Sequence, residues 1–102
     1  MIKLDRLPNH WLPAGDQAKR LKEELARELP PGHVLDGVAA TAIARRTDCD
    51  DVLFALSDDR FAVVHLTWSG SQETDPTWPA TTIHETVQLW READAAEQAA
   101  VA

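Results

Sequence analysis

The chain is poor in cysteine. Cys49 stands alone among 102 residues, so no internal disulfide staples the fold, and a single thiol fits a reducing compartment, which makes the cytoplasm the expected location. Long apolar runs are missing too. Nothing approaches the ~18 residues that a membrane span needs. The opening MIKLDRLPNHW has no basic segment leading into an apolar one, so a secretory signal is not expected. Positive charge is in deficit: ten Lys and Arg face seventeen Asp and Glu, for a formal charge of −7. A nucleic-acid binder needs the opposite balance, because its cations must replace phosphate counterions. Nucleic acid is therefore not an expected partner, whereas a protein with a basic surface is. Tyrosine is absent and there are two Phe, which leaves four Trp as the main large side chains.

Catalytic and metal motifs are equally scarce. Ser69 and Ser71 lack a G-x-S-x-G setting, and no glycine-rich loop is spaced to cradle phosphate. His10, His33, His65 and His84 show no zinc-ligand spacing. The acidic turns, with Asp48, Asp50 and Asp51 and then Asp58 and Asp59, lack the Gly and Glu that a twelve-residue calcium loop requires. In a meander the two turns also lie at opposite ends of the sheet. Turn chemistry accounts for them, and no metal or cofactor is expected. Carboxylates beside Cys49 should raise its pKa, which argues against a nucleophile.

What is present reads as one domain over residues 1–102. Its 44% apolar and 26% charged residues are ordinary for a globular protein. Residues 1–13 form an arm in which Pro8 and Pro13 oppose regular structure while Leu4, Leu7, Trp11 and Leu12 supply apolar surface. Asp16 suits a helix N-cap. Ala18, Leu21, Leu25 and Leu29 then mark one stripe of a helix over 17–29, ended by Pro30-Pro31-Gly32. On its outer face Lys19–Glu23 and Arg20–Glu24 are spaced as i,i+4 ion pairs.

Strands are predicted over 38–46, 52–56 and 60–68, joined by short Asp-rich turns. VLFAL, continuously apolar, suits a central strand covered on both faces. Residues 69–80 are a long polar loop with Gly70, Pro76 and Pro79, of the kind that often carries function. Residues 81–84 fit a further edge strand, a second helix runs from Glu85 to about Gln98 with Val87, Trp90 and Ala93–Asp94 inward, and 99–102 should fray. The predicted class is α+β: an antiparallel three- to four-stranded meander packed against an N-terminal and a C-terminal helix, with the helices on one face of the sheet.

Phe61–Gly70, FAVVHLTWSG, is the place to look for a site. With period two, Ala62, Val64, Leu66 and Trp68 form a wholly apolar face turned to the helices. Phe61, Val63, His65 and Thr67 form a mixed, more open face. His65 fits a general acid or base, or a strand histidine hydrogen-bonded to a neighbour, and the second is favoured. Trp68 and Trp78 bracket a loop holding Glu73 and Asp75. Two indoles beside carboxylates make a contact platform, and they equally serve as rims of a small core. His84 approaches His65 if 81–84 pairs beside the third strand.

From Asp50 to Trp90 the chain resembles a family of small bacterial proteins of unknown function. The shared pattern is DDVLF, a short turn, a strand of the type (F/Y)AVVHLTWSG, a loop with a W-P pair and a Trp in the final helix. Here these are Asp50–Phe54, Phe61–Gly70, Trp78-Pro79 and Trp90, within a span of about two-fifths of the chain. The resemblance implies a stand-alone α+β domain and brings no activity with it.

The function expected is contact with another protein, regulatory or immunity-like, through Trp68, Glu73, Asp75, Trp78 and His84, with no catalysis. The competing expectation is a small-molecule binder or minor hydrolase, with His65 as base oriented by Glu73, Asp75 or Glu85. The sequence leaves open the oligomeric state and whether the arm packs on its own domain or on a second copy.

Overall fold

The computed structural model describes residues 7–101. Leu4, with the rest of the first six residues of the expected arm, and Ala102 of the expected tail lie outside the described residues. One antiparallel sheet organises the chain: β1 (Trp11–Pro13), β2 (Ala40–Arg46), β3 (Asp51–Leu56), β4 (Phe61–His65) and β5 (Ala80–His84), side by side in sequence order. Helix α1 (Ala18–Glu28) leads from β1 to β2, and helix α2 (Val87–Val101) follows β5. The fold is α+β, with five strands rather than three or four.

The extra strand is β1. Trp11, Leu12 and Pro13 pair with Arg46, Arg45 and Ala44. Pro13 ends the strand at the sheet's edge, where a missing N–H costs nothing. Residues 81–84, expected as an optional strand, pair with β4 and extend to Ala80. β3 is central, and Val52, Leu53 and Phe54 are all buried in succession, as a strand covered on both faces requires.

The helices take opposite faces of the sheet, not one. Under α1, Leu21 and Leu25 pack on Val52, Phe54, Val64 and Leu66. Under α2, Trp90 packs with Trp11, Leu53 and Phe61, its ring edge-on to that of Trp11 at 5.3 Å. Phe61 and Val63 thus face a second core and not solvent. α2 stays helical through Val101, beyond the expected fraying point. Asp16 caps nothing. It lies in a 3-10 turn, Gly15–Gln17, that leads into α1, where the capping position falls to Gln17 without a side-chain bond.

β2 changes phase midway. Ala42 pairs with Phe54, but Ala44 pairs with Leu53, so Ile43 is an extra residue in a β-bulge. Before the bulge, Ala42 faces the α1 core. After it, Ala44 faces the α2 core. Arg45 consequently shares its face with Val52, opposite which it pairs, and Arg46 shares its face with Trp11.

Candidate functional site

The strongest local constraint on the loop after β4 comes from α1. Glu24 and Glu28 stand on the helix's inner side, one turn apart, and both are buried. Glu28 accepts the backbone N–H groups of Thr67 and Trp68, each at 2.9 Å. Glu24 accepts the N–H of Gly70 at 3.2 Å and a bond from Arg27 at 3.2 Å. Buried carboxyls need such partners, since an unpaired one would carry the full cost of lost hydration. Their own contact splits them. Burial, reinforced by Glu24, raises the Glu28 pKa, while the hydrogen bond from Glu28 lowers that of Glu24. Glu28 is thus harder to ionise than an ordinary glutamate and Glu24 easier, the pattern of two carboxyls sharing a site.

More bonds extend this clamp along the loop. The Glu73 N–H donates to the Glu28 carbonyl at 3.0 Å, Gln72 donates to the Leu29 carbonyl at 3.1 Å, and the Thr67 hydroxyl donates to the Glu73 carboxylate at 2.7 Å. His33 holds the far end. Its Nδ1 accepts the Leu35 N–H at 3.0 Å and its Nε2 meets the Pro79 carbonyl at 2.9 Å. That pairing makes it the Nε2–H tautomer.

Trp68 emerges from the clamp with φ +57°, a left-handed conformation that few bulky residues adopt. β4 has already ended, so Trp68 leaves the apolar face expected for it. Its side chain is 37% exposed and lies under the Arg20 guanidinium, 4.9 Å from the ring centroid. Arg20 is therefore not the partner of Glu24, which has turned inward. Lys19 and Glu23 do approach, at 4.0 Å. Trp78 is 45% exposed, beyond a turn in which Asp75 accepts the Thr77 N–H and hydroxyl. Those bonds lower the Asp75 pKa. Glu73 and Asp75 thus serve the loop's own geometry.

His65 sits on the other side of the sheet from the clamp. It pairs across the strands with Asp51, and its Nδ1 lies 2.8 Å from the Asp51 carboxylate. Its carboxylate partner comes from β3 and not from Glu73, Asp75 or Glu85. His84 does not join it. His84 pairs with Phe61 and His65 with Ala80, so four residues, about 13 Å of strand, separate them. Among the described residues, no three His, Cys, Asp or Glu side chains gather as a metal ion would need.

Asp51 and His84 line a shallow cavity of about 170 Å³ under α2, with Arg46, Thr82, Asp94 and Glu97 around it. Asp94 is buried there. It accepts the Trp11 indole N–H at 2.9 Å and the Gln98 amide at 2.6 Å. Arg46 binds Asp48 at 2.6 Å and Glu97 at 3.4 Å. Burial lowers the His84 pKa. Burial also raises that of Cys49, ahead of the neighbouring carboxylates to which the sequence pointed.

Sequence reasoning missed Glu24, Glu28, Asp51 and Asp94. Glu24 and Glu28 had a visible signal: they fall at the spacing of Leu21 and Leu25, on the buried stripe. Asp94 was placed inward but given no task. Asp51 needed the strand register. No helix among the described residues is long and apolar enough to cross a membrane. Comparison with models of protein families, with curated proteins and with solved structures found no match.

Proposed function

We propose that this chain is a binding module for another protein and that the contact centres on Trp68 and Trp78. The observation that carries the reading is the pairing of exposed indoles with a fixed backbone. Trp68 and Trp78 are 37% and 45% exposed, on a segment clamped by Glu24, Glu28 and His33. Tryptophan supplies a large share of binding energy at protein interfaces. A loop already ordered before contact avoids the entropy cost of ordering on binding. The net charge of −7 suits a partner with an overall basic surface, and the lone thiol suits the cytoplasm.

Affinity capture from the native cell, with wild type, Trp68→Ala and Trp78→Ala as baits, tests this. The expected result is a captured protein that each variant loses at least roughly tenfold, the scale of one lost interfacial anchor, while each still melts cooperatively. Parallel loss of fold and capture would make the indoles core residues and end the reading.

One observation favours a second reading, a small-molecule site. His65 has a carboxylate at 2.8 Å, and that carboxylate borders the cavity under α2. An orienting carboxylate on an imidazole is the arrangement of a general base. On this reading Asp51→Asn abolishes turnover or ligand binding and leaves capture by the Trp68 surface intact.

A further inference from the structure

We propose that the crevice beside Trp68 is a carboxylate-binding subsite, which the partner protein enters with an acidic side chain held by Arg45 and Arg20. This rests on the reading of Trp68 as a contact residue and names the chemistry that meets it.

The crevice lies between the start of α1, β2, the β2–β3 turn and Trp68, and it holds about 90 Å³. That is more than the space one water needs, so a carboxymethyl group fits. Its lining includes Arg45, Arg46, Asp50 and Asp51. Two of these four side chains already have partners. Arg46 is bound by Asp48 and Glu97, and Asp51 is bound to His65. Arg45 is not: its Nε is shut away from solvent and meets no acceptor among the described residues. Arg20, stacked on the Trp68 ring, lost its sequence partner when Glu24 turned to Gly70 and Arg27. The crevice thus holds one guanidinium, Arg45, and one carboxylate, Asp50, without a partner among the described residues, and the Arg20 guanidinium lies over the Trp68 ring that lines it.

A partly buried guanidinium without an anion forgoes the pairing that would offset its lost hydration. Its N–H groups form a planar fork that fits the two oxygens of a carboxylate. Arg20 complements it. Stacking occupies the flat face of that guanidinium and leaves the donors at its rim for an acceptor. The bulge at Ile43 places Arg45 on this side of the sheet, and the Glu28 clamp sets Trp68 opposite. The unpartnered charge here, Arg45 and Arg20 against Asp50, is therefore positive while that of the whole chain is −7, so an otherwise basic partner would present a single acidic residue here.

The test is an NMR titration of the full chain, read at the Trp68 indole N–H and the Arg45 side chain. The probes are N-acetylglutamate, inorganic phosphate and lysine amide. Saturable binding of N-acetylglutamate is expected, stronger than that of either other probe. Arg45→Gln should weaken it roughly tenfold, the worth of one charge-assisted hydrogen bond. Arg20→Gln, on an exposed helix face, should weaken it too and covers the case in which Arg45→Gln unfolds. Asp50→Asn should tighten it by removing a like charge. No saturable shift, wild-type affinity in both arginine variants, weaker binding in Asp50→Asn, or tighter binding of phosphate or lysine amide would each overturn the proposal. Capture separates the two readings. If Trp68→Ala loses the partner while both arginine variants keep it, the contact stands and the subsite falls. If all three keep it, both fall.

Discussion

The two faces of the sheet bury polar groups in different ways. Under α1, the buried carboxyls of Glu24 and Glu28 bind backbone amides of Thr67, Trp68 and Gly70. Under α2, the buried carboxylate of Asp94 binds the side chains of Trp11 and Gln98. Satisfying a carboxyl with backbone fixes the path of a loop. Satisfying it with side chains ties one element to another and leaves the backbone alone. The α1 face in this way ties down the backbone on both sides of Trp68. The α2 face has joined the N-terminal strand to the last helix and kept His84, and Asp51 with its partner His65 beside it, at a cavity lined by the first two.

Three substitutions bear on this contrast. Trp90→Ala should have the largest effect, since Trp90 is the central side chain of the smaller core and is 1% exposed. A loss of about 3–5 kcal/mol is expected, read by chemical denaturation. A loss under about 1 kcal/mol would mean that α2 adds little to the fold. Glu28→Ala should cost about 2–4 kcal/mol, because two partly buried hydrogen bonds from backbone amides lose their acceptor. Its signature is local: hydrogen exchange at Thr67, Trp68 and Gly70 should speed up while the central strand β3 stays protected. Uniform acceleration would show that the carboxyl clamp supports the whole domain and not the loop.

His84→Gln should have the smallest effect and a definite sign. Burial lowers the His84 pKa below its ordinary 6.5, so the folded state binds its proton less readily than the unfolded chain. The associated stability is present above pH 6.5 and is lost as pH falls through the folded pKa. Below pH 6.5 the variant should therefore gain on wild type in thermal melts. A constant difference between the two from pH 5 to 8 would show that His84 does not sense the α2 layer. The Glu28 contribution runs the other way. Its raised pKa makes it strongest below the ordinary 4.5, and it is lost as pH rises through the folded value.

Much of the frame was legible because it is written in short periods. Leu21 and Leu25 marked α1, the continuous VLFAL run marked the doubly covered strand β3, and Pro30-Pro31-Gly32 marked the helix end. The side of the sheet that each helix covers was harder to read, although Phe61 and Val63 carried a hint: a face with two such residues has more to bury than an open one should. β1 was hidden because three residues ending in Pro13 have no periodicity, and its pairing with β2 is a tertiary matter. The site suffered most. The left-handed turn at Trp68 follows from contacts with α1, forty residues away in sequence, and the Asp51–His65 pair follows from strand register. Neither is encoded in local spacing. Glu24 was read as the partner of Arg20 because that spacing is right for a solvated helix, and the loop's amides outcompeted it.

The extra residue in β2 has a reach beyond its strand. Arg45 and Arg46 are chemically alike and adjacent, and in any strand they would point to opposite sides. Ile43 alone decides which goes where. Removing one residue there would exchange them, turning the ion-paired Arg46, now 5.9 Å from the Trp11 ring centroid, to the face that carries Val52, and Arg45 to the face that carries Trp11. A single deletion would thus rewire both sides of the molecule while leaving its composition and charge pattern almost unchanged. In this chain, length at one position carries information that residue type does not.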